Sequence, residues 1–144
     1  MVFTVEQQRK YMRIPFKSQG HPFSGCDCGG LVWLVYKNEL GITLPDWFEM
    51  YNGTQIEHSL ETSETVSTML GKHAVEIDFK DRKPFDIVAF KVCGATTHVG
   101  LVVNKRFFLH TMQGFSRVTQ ERFDNPQWRD RLSGCFRYET MFTK

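Results

Sequence analysis

The stretch Gly25–Tyr36, which reads GCDCGGLVWLVY, joins a turn of small residues to an apolar run with helical spacing. Asp27 is a favourable N-cap, because its carboxylate can accept hydrogen bonds from the unpaired amides of a first helical turn. Cys28 then becomes the first helical residue, where the positive end of the helix dipole stabilises a thiolate. The stretch therefore predicts an apolar helix, with Cys28 at its start as a candidate nucleophile.

A buried structural cysteine is the alternative interpretation of Cys28, and it is the commoner case in an apolar helix. Gly29 and Gly30 favour the first interpretation, because glycine costs up to about 1 kcal/mol relative to alanine inside a helix. Two glycines in a first turn indicate that another group approaches the backbone closely there. Both interpretations stay open from this stretch alone.

The composition is that of an ordinary globular domain. The 144 residues are 41% hydrophobic and 24% charged, which predicts a single domain, 1–144, with a substantial core. A net charge of +2 is too small to indicate a nucleic-acid partner or a membrane surface. Residues 1–10 lack the apolar stretch of a secretion signal and no segment resembles a membrane span, so we expect no membrane insertion and reduced cysteines.

Residue patterns along the chain predict helices first and strands afterwards. A capping box at Thr4–Gln7 predicts a helix over Val5–Met12, and Gly41 is expected to end the helix that begins at Cys28, near Glu39. Further helical segments are predicted over 47–52 and 57–72 and as a turn over Gln127–Leu132. Strands are predicted over Ala74–Phe79, Phe85–Val92, Thr97–Val103, Arg106–Thr111, Arg117–Gln120 and Cys135–Glu139. This order predicts an α+β fold with an antiparallel sheet.

His98 and His110 lie on the two strands of one predicted hairpin. A three-residue turn, 104–106, places them on one face of the sheet as diagonal neighbours, with Cα atoms roughly 7–8 Å apart. A two-residue turn places them on opposite faces, because side chains alternate along a strand. In the first case His98 can take the proton of Cys28 and His110 can orient the His98 ring, as in nucleophilic hydrolases.

Other interpretations of these residues remain open. A single histidine is usually a surface or satisfied core residue, and a zinc site from Cys26, Cys28, His98 and His110 would lack the usual Cys-x-x-Cys spacing. We therefore expect no metal and no cofactor. His21, His58 and His73 are predicted to be solvated, and Cys93 and Cys135 to be buried and inert.

Five blocks of the sequence resemble the NlpC family, the papain-like peptidases of the bacterial cell wall. The blocks are Ile14–Phe16, Gly25–Val32, Phe85–Phe90, His98–Val102 and Leu109–His110. Their order and spacing follow the family pattern, and the similarity extends from about Gln8 to Tyr138. The resemblance implies a papain-like fold in which the nucleophile-bearing helix packs on a central antiparallel β-sheet.

The resemblance also implies an activity, the hydrolysis of an amide bond in the stem peptides of peptidoglycan through a thioester. The implied catalytic residues are Cys28, His98 and His110, and Asp27 would receive the free amine of the stem peptide. Gly29 and Phe16 would also adjoin the substrate, but relatives usually carry serine and tyrosine at these two positions. Both differences bear on substrate choice and leave a non-catalytic role open.

Short phage-tail members of the family share the segment Gly41–Pro45 and an ending like Trp128–Arg137. This likeness implies a place in the virion tail, tail hub or tip proteins as partners, and action at the host cell wall after synthesis in the host cytoplasm. Two alternatives are a catalytically silent tail subunit and an acyltransferase on the same scaffold. Phe107, Phe108 and Phe115 could serve a subunit interface, although core packing is their ordinary role.

Overall fold

The computed structural model describes residues 1–17, 23–44, 74–92 and 95–138. Within these ranges, helices precede the strands of a single sheet, which confirms the predicted α+β class. The helical segments predicted over 47–52 and 57–72 lie outside the described residues, as do His21, His58, His73 and Cys93. No helix in the described part of the chain has the length and apolar character needed to cross a bilayer.

The first helix, α1, spans Val5–Met12 as predicted, and a capping box fixes its start. The Gln7 amide donates to the Thr4 hydroxyl at 3.1 Å, and the Thr4 amide donates to the Gln7 side chain at 2.7 Å. These reciprocal bonds satisfy two backbone donors that the helix itself cannot use.

The second helix, α2, spans Cys28–Val35, and Asp27 is its N-cap, as predicted. The Gly30 amide donates to the Asp27 carboxylate at 2.9 Å. One turn of π-helix, Tyr36–Leu40, replaces the end of the α-helix that the sequence predicts, and Gly41 follows it with a φ of 68°. The predicted stop at Gly41 is therefore confirmed, whereas the prediction of an α-helical last turn is wrong.

Contacts with α1 stabilise the π-helical turn. Its Glu39 carboxylate accepts hydrogen bonds from the side chains of Gln7, Lys10 and Tyr11 at 2.5–2.7 Å. These bonds join residues about thirty positions apart. They fix the geometry of the turn in a way that local propensity does not encode.

The strands form one antiparallel sheet in the order β1-β6-β2-β3-β4-β5. Their ranges are Ala74–Ile77 (β1), Ile87–Val92 (β2), Ala95–Val102 (β3), Phe107–His110 (β4), Thr119–Arg122 (β5) and Leu132–Tyr138 (β6), and a short helix, α3, spans Pro126–Arg129. The predicted antiparallel sheet is therefore confirmed, with shifted element ends.

Two of these shifts have a local cause. The strand predicted from Ala74 ends at Ile77, because Phe79–Asp81 form a 3-10 helix. The strand predicted from Phe85 begins at Ile87, because Phe85 has a φ of 74°, which no extended strand accommodates.

Pairing with other segments causes the remaining shifts. Arg117 pairs with Pro15 in an isolated bridge, so β5 begins two residues later than predicted. Leu132 pairs with Phe90 of β2, so β6 begins at Leu132 rather than Cys135 and the preceding helical turn ends at Arg129.

The hairpin of β3 and β4 has the three-residue turn. Leu101 faces Leu109 in the ladder, and the same register leaves residues 104–106 as the turn. His98 and His110 therefore share a face of the sheet, as that form of the hairpin predicts.

Residues 14–17 form an extended segment, which we call the strap. The Cys26 amide donates to the Pro15 carbonyl at 3.0 Å, and the Val118 amide donates to the Ile14 carbonyl at 2.9 Å. The strap thus joins the residues just before α2 to the residues just before β5 by backbone hydrogen bonds.

The two faces of the sheet are covered by different helices. On one side, which we call the α2 face, α2 shares a core with the strand residues Ile87, Ala89, Val99, Leu101 and Leu109. On the other side, the α3 face, Trp128 of α3 shares a core with Val88, Phe90, Val102 and Phe108. Side-chain alternation places His98 and His110 on the α3 face.

Candidate active site

His98 and His110 form a hydrogen-bonded pair. Nε2 of His98 lies 2.8 Å from Nδ1 of His110, and the two rings meet edge to face with centroids 5.0 Å apart. Both side chains are buried, with exposed fractions of 4% and 0%. The side-chain reach that the three-residue turn predicts is therefore confirmed.

A β-bulge lies next to His98 in β3. Phe90 of β2 pairs with His98 and Lys91 pairs with Thr96, so residue 97 has no opposite residue. Bulges bend a strand and redirect the neighbouring side chain, and they are common beside active sites. On its other edge, β3 continues past the end of β4 at His110, so His98 lies beyond the β3–β4 ladder.

Gly100 allows the close approach of the two strands. A Cβ atom at this position would lie 3.0 Å from the Leu109 carbonyl oxygen and 3.3 Å from Cβ of His110. The missing side chain lets β4 lie against β3 at the level of His110. It thereby permits the 2.8 Å contact between the two rings.

Glu121, on β5, extends the histidine pair. It faces Phe108 in the β4–β5 ladder, so its side chain points to the α3 face, and its Oε2 forms a hydrogen bond with Nε2 of His110. Sequence reasoning missed this residue, because the predicted strand ended at Gln120 and the polar segment Thr119–Arg122 has no apolar alternation. The register between β4 and β5, if it had been known, would have placed Glu121 beside His110.

Burial and hydrogen bonding set the charges of this cluster. Burial lowers the pKa of His110, and the nearby Glu121 only partly offsets this effect. Burial would raise the pKa of Glu121, but the hydrogen bond and the charge interaction with His110 outweigh it and lower that pKa. At neutral pH the pair is therefore a neutral imidazole beside a carboxylate.

Aromatic rings enclose the two histidines. The Trp128 ring lies 4.6 Å from that of His110 and 5.5 Å from that of His98, measured between centroids. Phe90 packs beside His98, and Phe115 meets His110 edge to face. Hydrogen bonds in such low-dielectric surroundings are stronger than hydrogen bonds in water.

Cys28 is the first residue of α2 and is 5% exposed. Helix α2 packs against β3, the strand that carries His98. The strap also ties the residues before α2 to the start of β5, whose first residue, Thr119, faces His110. The start of α2 is therefore linked to the strands of the histidine pair through β3 and the strap, while Cys28 itself belongs to the α2-face core.

The predicted substrate-binding residues lie around the start of α2. Asp27 and Gly29 flank Cys28, and both are buried. Phe16, in the strap, is half-buried and forms a parallel bridge with Cys26. The fold thus brings these residues together from two separate stretches of the chain.

The three described cysteines, Cys26, Cys28 and Cys135, form no disulfide. Burial and then the negative charge of Asp27 raise the pKa of Cys26 to about 12. Burial and then Asp86 raise the pKa of Cys135 to about 12 as well. The predicted burial of Cys135 is confirmed, and both thiols are protonated at neutral pH.

Across the described ranges, no group of three or more His, Cys, Asp or Glu residues is arranged to hold a metal ion, and Cys26, Cys28, His98 and His110 form no such group.

The three phenylalanines considered above for a subunit interface pack in the two cores. Phe108 is fully buried, while Phe107 packs against the α2-face core and Phe115 against the α3-face core. All three rings therefore take part in core packing.

The chain is similar in sequence to a known hydrolase. The gamma-DL-glutamyl hydrolase of Bacillus subtilis is 25% identical over 140 residues, which cover 95% of this chain and 29% of that protein. The chain thus spans less than a third of the length of this curated relative.

Solved structures show the same fold. The NlpC/p60 domain of the peptidoglycan hydrolase SagA has a TM-score of 0.63 at 18% identity, over 92% of this chain and 93% of that one. An NlpC/P60 family protein from Bacillus cereus has a TM-score of 0.67 at 20% identity, over 93% of this chain and 38% of that one. NlpC2 from Trichomonas vaginalis has a TM-score of 0.66 at 24% identity, over 91% and 44%. Since the family pattern also matches residues 13–137, this chain belongs to the NlpC/P60 family.

Proposed function

We propose that the protein is a cysteine peptidase that hydrolyses an amide bond in the stem peptides of bacterial peptidoglycan. The hydrogen-bonded pair of His98 and His110, in a chain of this family with a cysteine at the start of α2, is the observation that carries the proposal. The names of the relatives, a gamma-DL-glutamyl hydrolase and a peptidoglycan hydrolase, support a γ-D-glutamyl bond of the stem as the target.

In the proposed reaction, Cys28 attacks the amide carbonyl carbon while Nδ1 of His98, the ring nitrogen directed away from His110, takes the thiol proton. Backbone amides at the start of α2, including that of Cys28, donate hydrogen bonds to the oxyanion. His98 then gives its proton to the leaving amine, and the acyl group remains on sulfur as a thioester. Water, deprotonated by His98, attacks the thioester, releases the acid and restores Cys28.

Asp27, Gly29 and Phe16 are the proposed substrate contacts. The Asp27 carboxylate pairs with the free amine of the stem peptide, and Gly29 and Phe16 border the approach to Cys28. Their positions beside Cys28 and Cys26 support this assignment. Compared with a serine and a tyrosine, glycine and phenylalanine offer two fewer hydroxyl groups, which favours a less polar stem peptide.

A digestion of purified peptidoglycan with wild type, Cys28→Ala and Cys26→Ala tests the activity. We expect Cys28→Ala to reduce peptide release by at least about 1,000-fold, because removal of a catalytic nucleophile eliminates the covalent route. Cys26→Ala is the matched control, because Cys26 is a buried protonated thiol two residues away. Equal release by wild type and Cys28→Ala contradicts the proposed nucleophile, and release by neither at any pH contradicts the proposal and favours a silent structural subunit. Product masses show transfer to an acceptor other than water if the protein is an acyltransferase.

We also propose that the protein is carried in a phage tail, with tail hub or tip proteins as its partners. The likeness of Gly41–Pro45 and Trp128–Arg137 to short phage-tail members supports this place. Mass spectrometry of purified virions and of isolated tails is expected to detect the chain in both. Its absence from intact virions would contradict the proposal without affecting the enzymatic one.

A further inference from the structure

We propose that Glu121 is a positioning residue for this reaction, because its carboxylate fixes the tautomer of His110 and, through it, the tautomer of His98. The inference rests on the proposed function, in which His98 is the base for Cys28. Glu121 does not touch the reacting atoms, and its effect reaches them through two consecutive hydrogen bonds.

Backbone pairing places Glu121 beside His110. In the β4–β5 ladder Phe108 faces Glu121 and His110 faces Thr119, so Glu121 and His110 are diagonal neighbours on one face. Oε2 of Glu121 bonds Nε2 of His110, and Nδ1 of His110 lies 2.8 Å from Nε2 of His98. Glu121, His110 and His98 therefore form one continuous chain of hydrogen bonds.

The donor and acceptor roles follow from the first member of this chain. An ionised carboxylate can only accept hydrogen bonds, so Nε2 of His110 carries the hydrogen. In a neutral imidazole the other nitrogen then accepts, so Nδ1 of His110 accepts from the Nε2–H of His98. The basic nitrogen of the neutral His98 ring is consequently Nδ1, which is the atom that must take the thiol proton.

Glu121 also acts on the charged form of the base. When His98 becomes an imidazolium, its Nε2–H still donates to His110, and the negative charge of Glu121 at the far end of the chain stabilises the positive charge. No proton has to reach Glu121, whose role is orientation and electrostatic stabilisation. Its side chain is 18% exposed while that of His110 is fully buried, so the carboxylate stands where the buried chain meets the surface.

Glu121→Gln and Glu121→Leu separate these two effects. Glutamine keeps an acceptor oxygen and removes the charge, whereas leucine removes both. Glu76→Gln is the matched control, because Glu76 is an exposed glutamate on β1, at the opposite edge of the same sheet. The assays are hydrolysis of a soluble stem peptide and alkylation of Cys28 by iodoacetamide, each as a function of pH.

We expect Glu121→Gln to lower kcat by about 10-fold with KM nearly unchanged, since one stabilising charge is lost. The acid limb of its pH profile should shift to lower pH, because the imidazolium of His98 loses a stabilising negative charge and the ring stays a neutral base in more acidic solution. Glu121→Leu should lower kcat by about 100-fold, because His110 then adopts both tautomers and no longer holds the His98 ring in one orientation. Wild-type rates and an unchanged pH profile in both variants, beside an inactive Cys28→Ala, would overturn the role of Glu121 and leave the proposed function intact.

Nitrogen-15 NMR of the imidazole rings tests the same inference without any activity. We expect wild type to show His110 and His98 as single Nε2–H tautomers, and Glu121→Leu to show a mixture at His110. An Nδ1–H tautomer of His110 in wild type would overturn the inference even if the leucine variant does not fold. If wild type shows the expected tautomers but hydrolyses no stem peptide, the proposed function fails and the assignment of tautomers by Glu121 stands.

Discussion

The two faces of the sheet are buried to the same degree but are built from different chemistry. On the α2 face the strands present aliphatic side chains, among them Val99, Leu101 and Leu109, each essentially without exposed surface. On the α3 face, aromatic rings surround His98 and His110, which are 4% and 0% exposed. Strand β4 contributes neighbouring residues to both faces.

The two faces therefore contribute differently to the site: the α2 face packs the helix that carries Cys28, and the α3 face holds the histidines. Each buried aliphatic side chain of the α2 face contributes roughly 1.5–3 kcal/mol through the hydrophobic effect and requires no partner. Imidazole rings are costly to bury unless they are hydrogen-bonded, and flat aromatic neighbours hold them in place while excluding water. The α3 face therefore combines apolar burial with the orientation of its polar groups.

The sharpest test replaces two adjacent residues of β4, Leu109 and His110, each by alanine. His110→Ala should lower kcat/KM by about 10²–10⁴-fold, because His98 loses the group that orients it as a base. Leu109→Ala should instead lower the free energy of unfolding by about 2–5 kcal/mol, because it leaves a cavity in the α2-face core. Urea denaturation and hydrolysis of a stem peptide, both below the melting transition of Leu109→Ala, measure the two effects.

The control for this pair is the catalytic rate of Leu109→Ala. Leu109→Ala should lower kcat much less than His110→Ala while it is folded, since the 2.8 Å contact of the histidines lies on the other face. Parallel losses of activity and stability in both variants would show that the two faces are not separate in function.

A smaller effect is expected from Gly100→Ala, which acts on both faces through the backbone. The new Cβ would lie 3.0 Å from the Leu109 carbonyl oxygen and 3.3 Å from Cβ of His110, so β4 must move by a few tenths of an ångström. We expect a loss of about 1–3 kcal/mol in unfolding free energy. Activity should fall by about 10-fold, since hydrogen-bonded catalytic groups tolerate little displacement. Loss of stability with full activity would show that the histidine pair adapts to such a shift.

The smallest expected effect is a pH dependence of the unfolding free energy, caused by His110 and Glu121 on the α3 face. Burial lowers the pKa of His110 below its ordinary value of 6.5, so on acidification the unfolded chain takes up a proton that the folded protein does not. Stability from this group is complete above pH 6.5 and is lost as the pH falls below it. The lowered pKa of Glu121 adds a loss in the same direction below its ordinary value of 4.5.

Urea denaturation between pH 5 and 8 measures this dependence. His110→Ala should reduce the slope below pH 6.5, whereas Leu109→Ala should keep the wild-type slope at lower overall stability. An unchanged slope in His110→Ala would assign the pH dependence to other groups.

Sequence patterns predicted the start of α2 well because the signals there are local. Asp27 accepts from the Gly30 amide as an N-cap does, and Gly41 ends the helical region in the left-handed conformation. The π-helical turn between them was not predictable, because the bonds from Gln7, Lys10 and Tyr11 to Glu39 depend on how α1 docks.

The sequence allowed two placements of His98 and His110, on one face of the sheet or on opposite faces. Because side chains alternate along a strand, the choice depended only on the length of one turn. Asn104 settles that length, because its side chain accepts from the amides of Arg106 and Phe107 at 2.8 and 3.1 Å and stabilises a three-residue turn. The contact of His98 with His110 then follows from the register.

By itself, the sequence determined the capped helix that begins at Cys28, the antiparallel hairpin and the choice between two placements of the histidines. These features depend on residues close together in the chain, where capping, alternation and turn chemistry act directly. Only the tertiary structure decided that Glu121 meets His110, that Trp128 covers both rings and that the strap joins α2 to β5. Such contacts depend on the register and packing of distant segments, which polar strands without alternation, such as β5, leave unspecified.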